Sequence, residues 1–171
     1  MNNMHQVYVG IGSNIDRKIH ISNGIRQLID HFKELQLSPV YITQAVGFDG
    51  DDFYNLVAGF KTTLTVKEIE SRLKQIERDN GRDHSQAKFS ARTLDIDLLL
   101  YDDDILHSQG FAVPRDEILK YAFVLKPLAD IAGATIHPET GRSIQSHWEG
   151  FNHNEEEMRL LEWDIKHTLS P

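Results

Sequence analysis

Two carboxylates stand inside an otherwise apolar run, Leu94-Asp95-Ile96-Asp97-Leu98-Leu99-Leu100-Tyr101. The run reads as a buried strand, and nothing about packing asks for acids there. Side chains alternate across a strand, so Asp95 and Asp97 are expected on one face about 6.5 to 7 Å apart, with Ile96, Leu98 and Leu100 directed into the opposite layer. That spacing suits carboxylates bridging a pair of metal ions. Unpaired charge beside a core is costly, and Mg²⁺ held by a few carboxylates together with substrate phosphates is one way of compensating it. Arg92 lies just upstream, within reach of a phosphate. Taken by itself, an Asp-x-Asp pair more often reads as solvated acids on the open face of a sheet than as a metal site.

The elements that must position this pair can be read along the chain. Val7, Val9 and Ile11 alternate and then meet Gly12-Ser13-Asn14, which predicts a strand followed by a turn. Ile25, Leu28, Ile29 and Phe32 recur at helical spacing within residues 17–36. Residues 40–44 read as a second strand and residues 55–62 as a third, separated by a polar, glycine-bearing loop. Thr65 and Glu68 have the spacing of a capping box, Ile69, Leu73 and Ile76 supply the apolar stripe of the next helix, and Gly81 is placed to stop it. Residues 82–90 lack periodicity and predict a loop ahead of the Asp95 strand. The order is β-α-β-β-α-β, so the expectation is an α+β fold with a ferredoxin-like core. Beyond Tyr101, Asp102-Asp103-Asp104 reads as a solvent-facing turn, and Val113-Pro114 as a boundary. Short helices are expected within residues 116–131 and 144–148, and short strands add to this C-terminal part. One domain over residues 1–171 is expected, with a peripheral tail from about residue 152.

Composition narrows the class. With 171 residues, 40% hydrophobic and 26% charged, the chain can bury one core. The absence of cysteine excludes disulfides, thiolate metal sites and cysteine nucleophiles, which fits the cytoplasm. No apolar run approaches the roughly 20 residues that cross a bilayer, so no membrane partner is expected. A net charge of −8 argues against a nucleic-acid surface. It leaves room for a small phosphorylated ligand, because Arg72, Lys74, Arg78, Arg82, Lys88 and Arg92 bracket the acidic strand. The nine histidines form no zinc motif, and the glycines near Gly10 match neither a P-loop nor a dinucleotide fingerprint.

The run Arg92-Thr93-Leu94-Asp95-Ile96-Asp97-Leu98 closely resembles the signature of the 6-hydroxymethyl-7,8-dihydropterin pyrophosphokinases. The likeness extends in order from about Val7 to Ile131. Gly12-Ser13-Asn14 is similar to the family's turn after the first strand, Asp52-Phe53-Tyr54-Asn55 to its pterin-embracing segment, and Gln75-Ile76-Glu77 with Gly81-Arg82 to the helix and loop that approach ATP. Val113-Pro114 and Ala122-Phe123 resemble a later substrate-facing stretch. The resemblance implies transfer of pyrophosphate from ATP to 6-hydroxymethyl-7,8-dihydropterin, giving AMP and the pterin diphosphate in folate biosynthesis. It places two Mg²⁺ ions on Asp95 and Asp97 when ATP is bound, and makes Arg82 and Arg92 the cationic clamp on the phosphates. It assigns Asn55, Phe53 and Phe123 to the pterin, with Thr43 and Val46 extending that set. Glu77, Phe89, Arg92, Leu98 and Arg115 fall to ATP, and a monomer is expected.

Several positions depart from the family pattern. Asp83, His84, Ser85 and Gln86 occupy a loop that is usually richer in positive charge. Phe89-Ser90-Ala91 stands where Trp-Gly-Pro is common, and Arg115 where histidine is usual. These changes cluster around ATP and leave a second reading open, a non-catalytic or altered-specificity pterin-binding paralogue. A third is an interaction module without a small ligand, since the ferredoxin-like architecture hosts unrelated functions.

Overall fold

A central antiparallel sheet organises the chain, and its strand order explains how residues distant in sequence meet. In the computed structural model the described residues are 3–44, 50–81, 93–108, 110–152 and 158–169. β1 (His5–Ser13) lies between β5 (Asp95–Tyr101) and β4 (Phe53–Thr62). Beyond β4 come β2 (Gln36–Leu37) and β3 (Tyr41–Thr43), each paired with it, and β8 (Met158–Leu160) adds to the outer edge of β3. The order along the main path is β5-β1-β4-β3-β8. A separate hairpin joins β6 (Leu106–Ser108) to β7 (Phe111–Val113), and Val113-Pro114 is a cis peptide. The fold is α+β, as the alternation of strand and helix patterns predicts.

Each face of the sheet has its own core. Val7, Val9 and Ile11 of β1, Leu56, Ala58 and Phe60 of β4, and Ile96 and Leu98 of β5 pack under α1 (Arg17–Phe32) and α2 (Val66–Asp79). The helices present the stripes expected of them. Ile21, Ile25, Leu28 and Phe32 are buried on α1, and Ile69, Leu73 and Ile76 on α2. The capping box is formed, with the Glu68 N–H donating to Thr65 Oγ1 at 3.2 Å and the Thr65 N–H donating to Glu68 Oε1 at 3.3 Å. The second core joins Tyr8, Val57, Leu99 and Leu100 to α3 (Ala122–Ala132), α4 (Ile144–Glu149) and Ile118, which lies in a 3₁₀ turn at Asp116–Leu119. Among the described residues no helix is long and apolar enough to cross a membrane.

Four sequence expectations are corrected here. Helix α1 ends at Phe32, because Lys33 adopts φ 73° and its N–H closes back on the Ile29 carbonyl at 2.8 Å; residues 36 and 37 are strand. Leu100 faces the second core and not the layer of Ile96 and Leu98. The β1–β5 register shifts at the Tyr8/Val9 step, where Leu99 is the extra residue, and such a bulge reverses the facing of everything after it. Asp102 does not simply face solvent: it accepts from the Gln6 N–H at 2.7 Å and pairs with His5 at 2.7 Å, while Asp103 and Asp104 are exposed. The C-terminal segment is not peripheral in its contacts. β8 pairs with β3, and α5 (Ile165–Leu169) sends Ile165 into the helix-side core at 6% exposure.

His137 is buried beside α4, where its Nδ1 accepts the Glu139 N–H at 3.2 Å. Burial, with the nearby His147 adding to it, holds its pKa below the usual histidine value. The unfolded chain therefore binds this proton more readily than the folded one. The stabilising contribution is present above about pH 6.5 and is lost as pH falls through the lowered folded value. Urea midpoints measured at pH 7 and pH 5 should drop in the native protein, and drop less in His137→Asn.

Candidate active site

The two glycines of β1 create the floor of the site. Antiparallel pairing sets Gly12 between Asp95 of β5 and Asn55 of β4, and Gly10 between Asp97 and Val57. Directly paired residues share a face, so the carboxylates and the Asn55 amide look out over a strip that carries no side chain. A methyl group built on Gly12 would lie 2.8 Å from Asn55 Oδ1. This glycine strip was not singled out from the sequence. Its signal was there in the alternation: if Val7, Val9 and Ile11 face the core, Tyr8, Gly10 and Gly12 must share the other side.

On the β4 side of the strip Thr43, Phe53 and Asn55, three of the expected pterin residues, come together. Asn55 is 9% exposed and its Nδ2 donates to Thr43 Oγ1 at 2.7 Å, which fixes the amide and turns Oδ1 toward Gly12. Phe53 lies two residues away on the same face, paired with Thr43. The Gly12-Ser13-Asn14 turn secures the entry to β4: Asn14 Nδ2 donates to the Asp51 carbonyl at 3.2 Å. Arg17 donates to the Asp52 carbonyl at 2.8 Å and lies 4.1 Å from the centre of the Tyr54 ring. Phe123, in the first turn of α3 on the same side of the sheet, stacks on Tyr121 at 5.0 Å. Val46 lies outside the described residues.

At the other end Asp95 and Asp97 share a face and are both partly buried, as their spacing predicts. Glu77 approaches from α2. It is 5% exposed, accepts the Ile96 N–H at 2.9 Å and hydrogen-bonds with Asp95. Burial, reinforced by Asp95, pushes its carboxyl up to about 9. Burial and then the neighbouring Asp95 also raise Asp97 well above the usual carboxylate range, against the pull of Arg115. Arg115 Nη2 stands 3.5 Å from Asp97 Oδ1 and 3.2 Å from Glu117 Oε1, a partner that sequence reasoning did not single out. Leu98 points away from this face, as strand alternation predicts, with its side chain 1% exposed within the helix-side core. Arg82, Phe89 and Arg92 lie outside the described residues.

This is a donor set that fits a divalent cation. Two acids on one face are crowded by a third, and Asp97 and Glu77 are raised by burial and by their carboxylate neighbours, a crowding that a hard, oxygen-preferring ion would relieve. Among the described residues no group of three or more His, Asp or Glu forms a ready-made cage.

The family model described as 7,8-dihydro-6-hydroxymethylpterin-pyrophosphokinase matches residues 8–133, a span that contains the glycine strip, both carboxylates and the Asn55 end. The chain belongs to this family. Among curated pyrophosphokinases, that of Aquifex aeolicus is 35% identical over 137 residues, covering 79% of this chain and 85% of the relative. The Bacillus subtilis enzyme is 33% identical over 135 residues, 77% of this chain and 79% of its own length. A folic acid synthesis protein of Pneumocystis carinii is 34% identical over 166 residues, covering 95% of this chain, which spans only 21% of that longer protein. A solved Plasmodium falciparum HPPK-DHPS with pteroate superposes with a TM-score of 0.68 at 12% identity, over 87% of this chain and 42% of the other. That likeness agrees with the α+β fold of this pyrophosphokinase-family chain.

Glu77 supplies the acceptor for a buried strand N–H. Glu77→Ala should cost about 1 to 3 kcal/mol by leaving the Ile96 N–H unpaired, whereas Glu77→Gln, which keeps an acceptor, should cost less than half as much. Urea denaturation in EDTA would measure both.

Proposed function

We propose that this chain transfers pyrophosphate from ATP to 6-hydroxymethyl-7,8-dihydropterin, yielding AMP and the pterin diphosphate of folate biosynthesis, at the glycine-floored face of the sheet. The observation that carries this reading is the juxtaposition of Asp95 and Asp97 with Asn55 across Gly10 and Gly12. One end is acidic and suits metal-bound phosphates. The other carries an amide fixed by Thr43, with Phe53 on the same face, and suits a flat, hydrogen-bonding ring.

Asp95 and Asp97 would hold two Mg²⁺ ions with bound ATP, and the ions supply neutralisation of phosphate charge and polarisation of the attacking hydroxyl. The chain's own residues do the positioning. Thr43 locks the Asn55 amide so that Oδ1 accepts from the pterin amide edge, while Phe53 and Phe123 enclose the ring. Gly12 leaves the approach open. Glu77 holds the backbone of β5 beneath the carboxylates, and Arg115 offers a cation at the phosphate end together with Arg82 and Arg92, the expected clamp. Phosphoryl-group transfer relies mainly on such positioning and electrostatics.

We read the core as ferredoxin-like, counting β2 and β3 as one interrupted strand beside β4. The order β5-β1-β4-β3 supports this. Our reading is a cytoplasmic monomer acting on small molecules, and the net charge of −8 supports the part of it that excludes a nucleic-acid partner.

Incubation with ATP, MgCl₂ and the pterin alcohol should give AMP and pterin diphosphate in equal amounts, with Asp97→Asn slower by about a hundredfold or more. Pterin binding without AMP release would instead favour the non-catalytic paralogue. Gly12→Ala should fold normally yet weaken pterin binding by about tenfold or more, measured by calorimetry, because the new methyl displaces the Asn55 amide.

A further inference from the structure

Several carboxylates converge on one guanidinium beside the carboxylate pair. The Arg115 N–H donates to the Leu99 carbonyl at 2.9 Å, which pins the residue against β5 at the bulge. From that anchor Nη2 reaches Asp97 Oδ1 at 3.5 Å and Glu117 Oε1 at 3.2 Å. Asp95 and Glu70 add to the negative field around it. The Asp97 contact is too long for a good hydrogen bond and acts through charge. Among the described residues Arg115 Nε is buried without a hydrogen-bond partner, an arrangement that a different partner would relieve. Both side chains of the Arg115–Asp97 pair are about a third exposed, at 31% and 28%, so an incoming ion has access to them.

We propose that Arg115 is a resident counter-ion for Asp97 which a divalent cation must displace, so that this chain takes up the cation with the nucleotide and resists it beforehand. The proposal rests on the reading of Asp95 and Asp97 as metal ligands. A guanidinium and a divalent cation compete for the same carboxylate oxygen and repel each other. A triphosphate arriving with the cation changes the balance. It offers the displaced guanidinium new acceptors, including one for Nε, and forks of this kind match phosphate oxygens well. Cation and nucleotide are then coupled, and the coupling is reciprocal: each strengthens the binding of the other through one side chain. In this role Arg115 is a positioning residue for the nucleotide end of the site.

Mn²⁺ serves as the probe, titrated by electron paramagnetic resonance into the full chain with and without a non-hydrolysable ATP analogue. Without nucleotide, Arg115→Gln should bind Mn²⁺ about tenfold tighter than the native protein, while Arg115→Lys, which keeps the charge, should stay within about threefold of it. With the analogue present, the advantage of Arg115→Gln should vanish or reverse. Glu117→Gln provides a second variant: freeing Arg115 from its other partner should hold it more firmly on Asp97 and weaken Mn²⁺ binding. Unchanged affinity in folded Arg115→Gln, or equal shifts in the Gln and Lys variants, would overturn the counter-ion role and leave the metal reading intact. Mn²⁺ binding that is the same in Asp97→Asn as in the native protein, with or without nucleotide, would overturn both.

Discussion

The pairing of Gly10 and Gly12 with Asp97 and Asp95 governs the rest of the site. Cross-strand partners hold their Cβ positions about 4.5 to 5.5 Å apart, so any larger residue on β1 would fill the space over which the carboxylates and Asn55 look. On the other side of the same three strands, Ile11, Leu56 and Ile96 are buried under α1 and α2. The apolar half of the alternation thus fixes the register, and the register fixes the polar half. A slip of one residue would drive Asp95 and Asp97 into the helix-side core, a cost no local contact could offset. Function at this face is secured by packing at the opposite one.

Charge sets the second constraint. Asp95 and Asp97 stand close enough to Glu77 to raise its proton affinity, Asp95 raises that of Asp97, and the chain moderates the strain with one strand N–H at Glu77 and one guanidinium at Asp97. A site built only for stability would carry apolar side chains here, since replacing buried ionic groups by well-packed hydrophobic ones is often neutral or favourable. Retaining crowded acids beside two glycines places the local structure at the service of a ligand.

Much of this was legible in the residues. The Asp95/Asp97 face follows from strand periodicity, α2 from its capping box and stripe, and the Asn55 end from the ordered family motifs. What escaped depends on long-range geometry. Periodicity carried past Leu98 assigns Leu100 to the wrong face, because a bulge is a property of two strands and not of one. Gln36 and Leu37 continue a helical pattern until the left-handed turn at Lys33 breaks it. Glu117 looks like a surface acid in a linear reading, and only the approach of the turn after β7 to β5 makes it a partner of the site. Leu98 shows the converse: a motif position adjoining the chemistry whose side chain belongs to the core.

The sheet edge at β8 bears on how the chain assembles. Thr43 and Met158 pair across a separation of 115 residues, with the Leu161 N–H donating to the Val40 carbonyl at 2.9 Å to extend the contact. Closing so long a loop costs entropy that a three-residue strand cannot return by itself, so β8 can dock only onto a sheet already formed from β5, β1, β4 and β3. The last strand in sequence is thereby the last in folding order. The strand bearing Thr43 therefore stays unpaired on its outer side until residues 158–160 dock.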